Sequence, residues 1–128
     1  MQLYSFAKND FSLGMNAMTT NEGLVSYIVE KLRKQKKLSN KTVGILGMAF
    51  KANIDDIRSS LSYKLKKILM LYAKKVITTD PYVKNDPEIQ SLNVTLKKSD
   101  ILILATPHSV YKNINTKKPL IDIWNFIK

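Results

Sequence analysis

The sequence contains no cysteine. Disulfides, thiolate metal sites and a cysteine nucleophile are therefore excluded within these 128 residues. Such a chain suits a reducing compartment, and a cytoplasmic location is the expectation. Histidine occurs once, as His108. A lone imidazole lacks the partners of a metal site or a catalytic triad, so a structural or hydrogen-bonding role is expected, and no metal. No apolar run approaches the ~18 residues of a membrane span. The opening stretch, MQLYSFAKND, does not follow the basic-then-apolar layout of a signal peptide. No membrane partner is expected. Arginine is scarce as well. Lysine and arginine total 21 against 10 acidic residues, for a net charge of +11, yet only Arg33 and Arg58 are arginines. A basic surplus raises nucleic acid as a partner. Phosphate and base readers, however, lean on arginine's planar fork, the lysines are scattered, and no nucleic-acid-binding motif is present. The lysines are read as solvated surface, and a basic nucleic-acid-binding module is kept as an alternative.

What is present is the material of one globular domain. Hydrophobic residues make up 45% of the chain and charged residues 24%. Residues 1–20 carry apolar side chains around Gly14 but no clear period. From Asn21 a helical pattern emerges: Asn21 is placed to cap it, Glu22 falls in the first turn, and Leu24, Val25, Ile28 and Leu32 share one face. The cations of KLRKQKK suit its carboxyl end, and Ser39 and Asn40 break the run. KTVGIL then reads as a buried strand. Leu61, Leu65, Ile68, Leu69 and Tyr72 form the apolar stripe of an amphipathic helix. KVITTDP is a second strand stopped by Pro81, YVKNDPEIQSLN a loop or short helix, VTL a brief third strand, and DILILATP the most strand-like stretch. SVYKNI reads as a helical turn, KPLIDI as a last short strand and WNFIK as a helical end. The runs VGIL and ILIL are continuous rather than alternating, as in strands covered on both faces. The expected class is α/β, a Rossmann-like open parallel sheet with helices on both faces, preceded by one long helix.

In such a sheet, ligands bind beyond the carboxyl ends of the strands. Three segments lie there: MAFKANIDDIRSS, TTDPY and ATPHS. A dinucleotide site within this chain is poorly supported. Gly44 and Gly47 give G-x-x-G rather than G-x-G-x-x-G, although Asp80 ends a strand where a ribose-binding acid would stand. The loop itself is richer. Lys51 offers an ammonium to a phosphate or a sugar oxygen. One of Asp55 and Asp56 is placed to pair with Arg58, and Ser59 or Ser60 to cap the next helix. Asp100 and Asp122 are read as loop ties, and Trp124 and Phe126 as core or interface.

The stretch GILGMAFKANIDDIRSS resembles the motif G-x-x-G-x-A-F-K-x-x-x-D-D-x-R-x-S of the NAD-dependent nucleotide-sugar 6-dehydrogenases, which act on UDP-glucose, UDP-N-acetylmannosamine or GDP-mannose. DPYV at 80–83 is similar to that family's Y-D-P-x-V, SDILILATPHSVY to its A-D-x-x-x-x-x-T-x-H-x-x-F/Y, and NEGLVSYIVEKL to the end of its central helix. The resemblance runs over roughly residues 20–125. It implies that residues 1–38 belong to the end of a central dimerisation helix and residues 39–128 to a UDP-binding Rossmann-like domain. Family members carry a further NAD-binding domain and a catalytic cysteine, neither of which this sequence contains. The implied partners are therefore a UDP-sugar, an N-terminal NAD-binding domain and a second copy through the central helix. The implied cofactor is NAD, bound mainly outside this chain. Carried over position by position, Phe50 and Lys51 contact the UDP-sugar, Arg58 reaches NAD, and Asp55 and Asp56 orient that arginine. No catalytic residue is expected here. One departure stands out: where the family often has a substrate-binding arginine in a D-x-R context, this chain has IDIWN, with Trp124 and Asn125. A dimerisation remnant that binds no ligand is the remaining alternative.

Overall fold

The structure is a computed structural model that describes residues 17–35, 37–58, 60–124 and 126, with side chains from residue 23 onward. Four parallel strands form its centre. β1 (Thr42–Leu46) pairs with β2 (Lys75–Thr79) on one side and β3 (Ile101–Leu104) on the other, and β4 (Leu120–Asp122) adds beside β3. The spatial order is β2-β1-β3-β4. The helices are α1 (Ala17–Gln35), α2 (Leu61–Tyr72) and α3 (Leu92–Lys98), with 3-10 turns at Leu38–Asn40 and Ser109–Asn113.

Alternate residues of the strands feed two cores. Val43, Ile45, Ile101 and Ile103 pack with Val25, Ile28, Val29 and Leu32 of α1 and with Leu65 and Leu69 of α2. Leu46, Leu102 and Leu104 pack on the opposite face with Tyr111 and with Leu92 and Leu96 of α3. Both faces are thus covered, which is why the strand sequences are apolar throughout. Burying a side chain such as Leu65 or Leu69 contributes about 1.5–3 kcal/mol. Gly44 lets α3 approach the sheet: a Cβ there would sit 2.2 Å from Ser99 Oγ and 2.9 Å from Thr95 Cγ2.

Three sequence expectations change. Asn21 does not cap α1, because the helix already runs at Ala17 and no Gly or Pro intervenes to stop it. VTL is not a strand. It lies inside α3, where Ser91 caps by accepting from Val94 N–H at 3.2 Å. Three apolar residues are too few to show a period, and the cap decides the conformation. At the end of WNFIK, Trp124 lies in a turn and Phe126 in irregular chain, while residues 125, 127 and 128 lie outside the described residues. Residues 1–16 lie outside them too. The α2 stripe ends as the sequence suggests, except that Tyr72 stays partly exposed under the Arg33 guanidinium, 4.2 Å above its ring. Among the described residues no helix is long and apolar enough to cross a membrane.

Candidate functional site

α2 returns the chain from β1 to β2 across one face of the sheet. α3 then carries it over β1, across the other face, to β3. The winding reverses between β1 and β3, and that switch point opens a crevice at the carboxyl ends of the strands. The loop after β1 and the loop after β3 flank it.

Several bonds shape the β1 loop. Gly47 turns the chain with φ +96° and donates its N–H to Thr79 O at 2.8 Å. Phe50 N–H donates to Asp56 O at 2.6 Å, closing the loop on itself. Thr106 Oγ1 donates to Ala49 O at 2.8 Å, tying it to the chain after β3. Ser60 caps α2 by accepting from Ser62 N–H, and its own hydroxyl donates to Met48 O at 2.8 Å. The cap therefore also anchors the start of the loop. Ser59, the other candidate cap, lies outside the described residues.

The residues singled out in the sequence fall as follows. Phe50 is half-exposed, at 47%, and Lys51 is exposed, with its ammonium 5.9 Å from the Phe50 ring centroid. Both thus face outward at the crevice. Arg58 is gripped by Asp56 alone of the two aspartates: Nε donates to Oδ1 at 3.0 Å and Nη2 to Oδ2 at 2.9 Å. The guanidinium's hydrogen bond holds the Asp56 carboxyl down at about 2. Asp55 is exposed. The Arg58 side chain remains 87% exposed, so its outer edge is presented to solvent while its plane is fixed. Trp124 is also half-exposed and is tethered at the same edge by Nε1–H donating to Ala105 O at 2.8 Å. It is not core.

The centre of the site was not foreseen. Asp80 and His108 are both buried and meet at 2.8 Å between Oδ2 and Nε2. Asp80 Oδ2 also accepts from the N–H groups of Met48 and Ala49, at 2.7 and 3.0 Å, and Oδ1 from those of Tyr82 and Val83. Burial alone would raise this carboxyl. The bonds from His108, Met48 and Tyr82 outweigh it and hold the group below the usual carboxylate range. Asp80 is therefore no ribose acceptor: both oxygens are committed inside the protein. His108 Nδ1 accepts from Asn53 N–H at 2.7 Å, and its ring packs near those of Tyr82 and Tyr111, with centroids 4.7 and 5.7 Å away. The signal available in the sequence was positional. TTDPY and ATPHS each end a strand beside β1, so an acid and an imidazole at those ends converge over it.

A family model for the UDP binding domain of the UDP-glucose/GDP-mannose dehydrogenase family matches residues 44–128, from β1 through the whole crevice. This chain belongs to that family. The UDP-N-acetyl-D-mannosamine dehydrogenase of Pyrococcus horikoshii is 33% identical over an alignment covering 98% of this chain and 33% of the relative. That of Methanococcus aeolicus is 28% identical, covering 88% of this chain and 26% of its own length. A solved structure of the Pyrococcus horikoshii enzyme superposes with a TM-score of 0.75 at 32% identity, covering 96% of this chain and 32% of that one. A UDP-glucose dehydrogenase from Pyrobaculum islandicum shares the fold, with a TM-score of 0.71 at 24% identity, covering 82% and 27%. The chain spans about a third of the length of the curated relative from Pyrococcus horikoshii. As a UDP binding domain of the dehydrogenase family, it supplies a crevice, a fixed arginine and an exposed ammonium, and it contains no cysteine.

Proposed function

We propose that this chain is the nucleotide-sugar-binding part of an NAD-dependent UDP-sugar 6-dehydrogenase, which oxidises the sugar C6 alcohol to a carboxylate. One observation carries the reading: the A-F-K to D-D-x-R segment of a matched UDP binding domain lies at the switch point of the sheet. Residues 39–128 form the substrate domain and residues 1–38 the end of the central-helix region through which two copies associate. Phe50 provides an apolar wall and Lys51 a point charge for the diphosphate. Arg58, its fork oriented by Asp56, reaches a cofactor held on another domain. Asp55, exposed beside it, adds negative charge at the same point.

The residues present fit a contact to NAD rather than an NAD site, since the glycines give G-x-x-G and both Asp80 oxygens are occupied. NAD, when bound, supplies the hydride acceptor. This chain's own residues bind and orient the substrate and help exclude water around it.

Titration calorimetry of the 128-residue chain with UDP tests the assignment. Binding should be detectable at millimolar ligand or below. Lys51→Ala should weaken it about tenfold, the cost of one charge-assisted contact, and Arg58→Ala should change it by less than about twofold. Absence of UDP binding sinks the reading. The reverse order of the two variants means that the ends of the loop have exchanged roles.

A further inference from the structure

We infer that His108 is a positioning residue for the loop that carries Phe50 and Lys51, and that it works as a neutral imidazole whose Nδ1 must stay unprotonated. The inference rests on the reading of that loop as the UDP-sugar contact. A backbone N–H can only donate, so the 2.7 Å bond from Asn53 N–H fixes Nδ1 as the acceptor. The ring proton then sits on Nε2 and is donated to Asp80 Oδ2 at 2.8 Å. That same oxygen accepts from Met48 and Ala49. One buried ring therefore grips the loop twice, at its root through Asp80 and at its tip through Asn53.

The tip is held at further points. Asn53 has φ +63°, in the left-handed region that asparagine adopts more readily than most non-glycine residues. Its side chain adds three ties: Oδ1 accepts from Ser109 N–H at 2.9 Å and from the Tyr82 hydroxyl at 3.4 Å, and Nδ2 donates to Ser109 Oγ at 2.9 Å. Between root and tip lie Phe50 and Lys51. The groups facing the imidazole are the Asp80 carboxylate, the rings of Tyr82 and Tyr111, and the Asn53 amide. A proton on Nδ1 would set two donors against each other and remove the tip's backbone tie, while leaving the Asp80 bond in place. A glutamine can reproduce the Nε2 donor and an asparagine the Nδ1 acceptor, but only an imidazole does both.

The test has three readouts on the full 128-residue chain. Imidazole 15N NMR of His108 should show Nδ1 bare and Nε2 protonated; the opposite tautomer overturns the inference. Calorimetric UDP affinity should fall roughly fivefold to tenfold in His108→Gln, which leaves Asn53 N–H without its acceptor. His108→Asn should recover most of that loss. Equal losses in the two variants overturn the inference. The third readout separates this idea from the site assignment. If the wild type binds no UDP, the proposed function falls, and the backbone amide resonances of Phe50, Lys51 and Asn53 still decide. They should shift in His108→Gln and stay near their wild-type positions in His108→Asn; no shift in His108→Gln refutes the positioning role. Should both variants fail to fold, the wild-type tautomer decides, since a protonated Nδ1 overturns the inference on its own.

Discussion

Asp80→Ala is expected to destabilise this chain by about 3–5 kcal/mol, the range for removing one partner from a buried, fully bonded charge. The cost does not come from the lost carboxylate itself. It comes from what the carboxylate leaves behind: the N–H groups of Met48, Ala49, Tyr82 and Val83 and the His108 imidazole, all deprived of their acceptor in the interior. Urea denaturation followed by circular dichroism measures it. Asp80→Asn keeps the shape but turns an amide NH2 or a neutral oxygen toward those donors, so it should also be clearly destabilised. The pH dependence adds a check. The folded protein holds this carboxyl below its ordinary value of about 3.9. Its contribution to stability is therefore complete above that value and is lost as pH falls toward the lowered, folded one. The gap between wild type and Asp80→Asn should then narrow on acidification below about pH 4. A gap that stays constant into acid would show that the carboxylate's charge plays no part.

Gly47→Ala should be the second severe change, at about 2–5 kcal/mol from backbone strain and steric overlap together. Gly47 has φ +96°, and a Cβ there would lie 2.5 Å from Thr106 Cβ, 2.7 Å from Thr106 O and 2.8 Å from Thr106 N. Backbone cannot swing aside as a lysine tip can. Relief requires β1 and the chain after β3 to part, which also breaks the Thr106 to Ala49 bond holding the loop. Stability and UDP affinity should fall together. Gly23→Ala is the internal control: a Cβ at that position would meet nothing within 4 Å, and the residue is interior to α1. It should raise stability by about 0.5–1 kcal/mol. Thermal melts of the two variants should move in opposite directions. A mild Gly47→Ala melt would mean the turn is not as tight as described.

The fold was legible where one face of an element is long and apolar. VGIL, ILIL and the Leu65–Leu69 stripe announce themselves because burial dictates their composition. α3 was not legible from its three-residue core, since the decisive event is the Ser91 hydroxyl meeting Val94 N–H, a local bond rather than a pattern. The loop residues were singled out by motif, and the structure adds which aspartate holds Arg58. The Asp80–His108 pair was hidden by separation. The two stand 28 positions apart, and only the crossing of α3 over β1 brings the strand ends they follow together. Asp80 also looked like something else. An acid at the end of a second strand can serve a ligand or the protein's own backbone, and only the positions of the neighbouring N–H groups distinguish the two.

The strand order has a consequence for how copies of this chain meet. Among the described residues β2 and β4 are the outermost strands, and a parallel sheet with open sides is a template on which another chain can add. Here each side is blunted. β4 is only three residues long and is entered through exposed Lys117 and Pro119, while the Lys118 ammonium turns to Leu96 O and Lys97 O. β2 begins at exposed Lys75 just after Lys74, and its far end is covered where Gln90 N–H donates to Thr78 O at 2.8 Å. Some of the lysine surplus thus falls where edge-to-edge strand pairing would start, and like charges there discourage polymerisation.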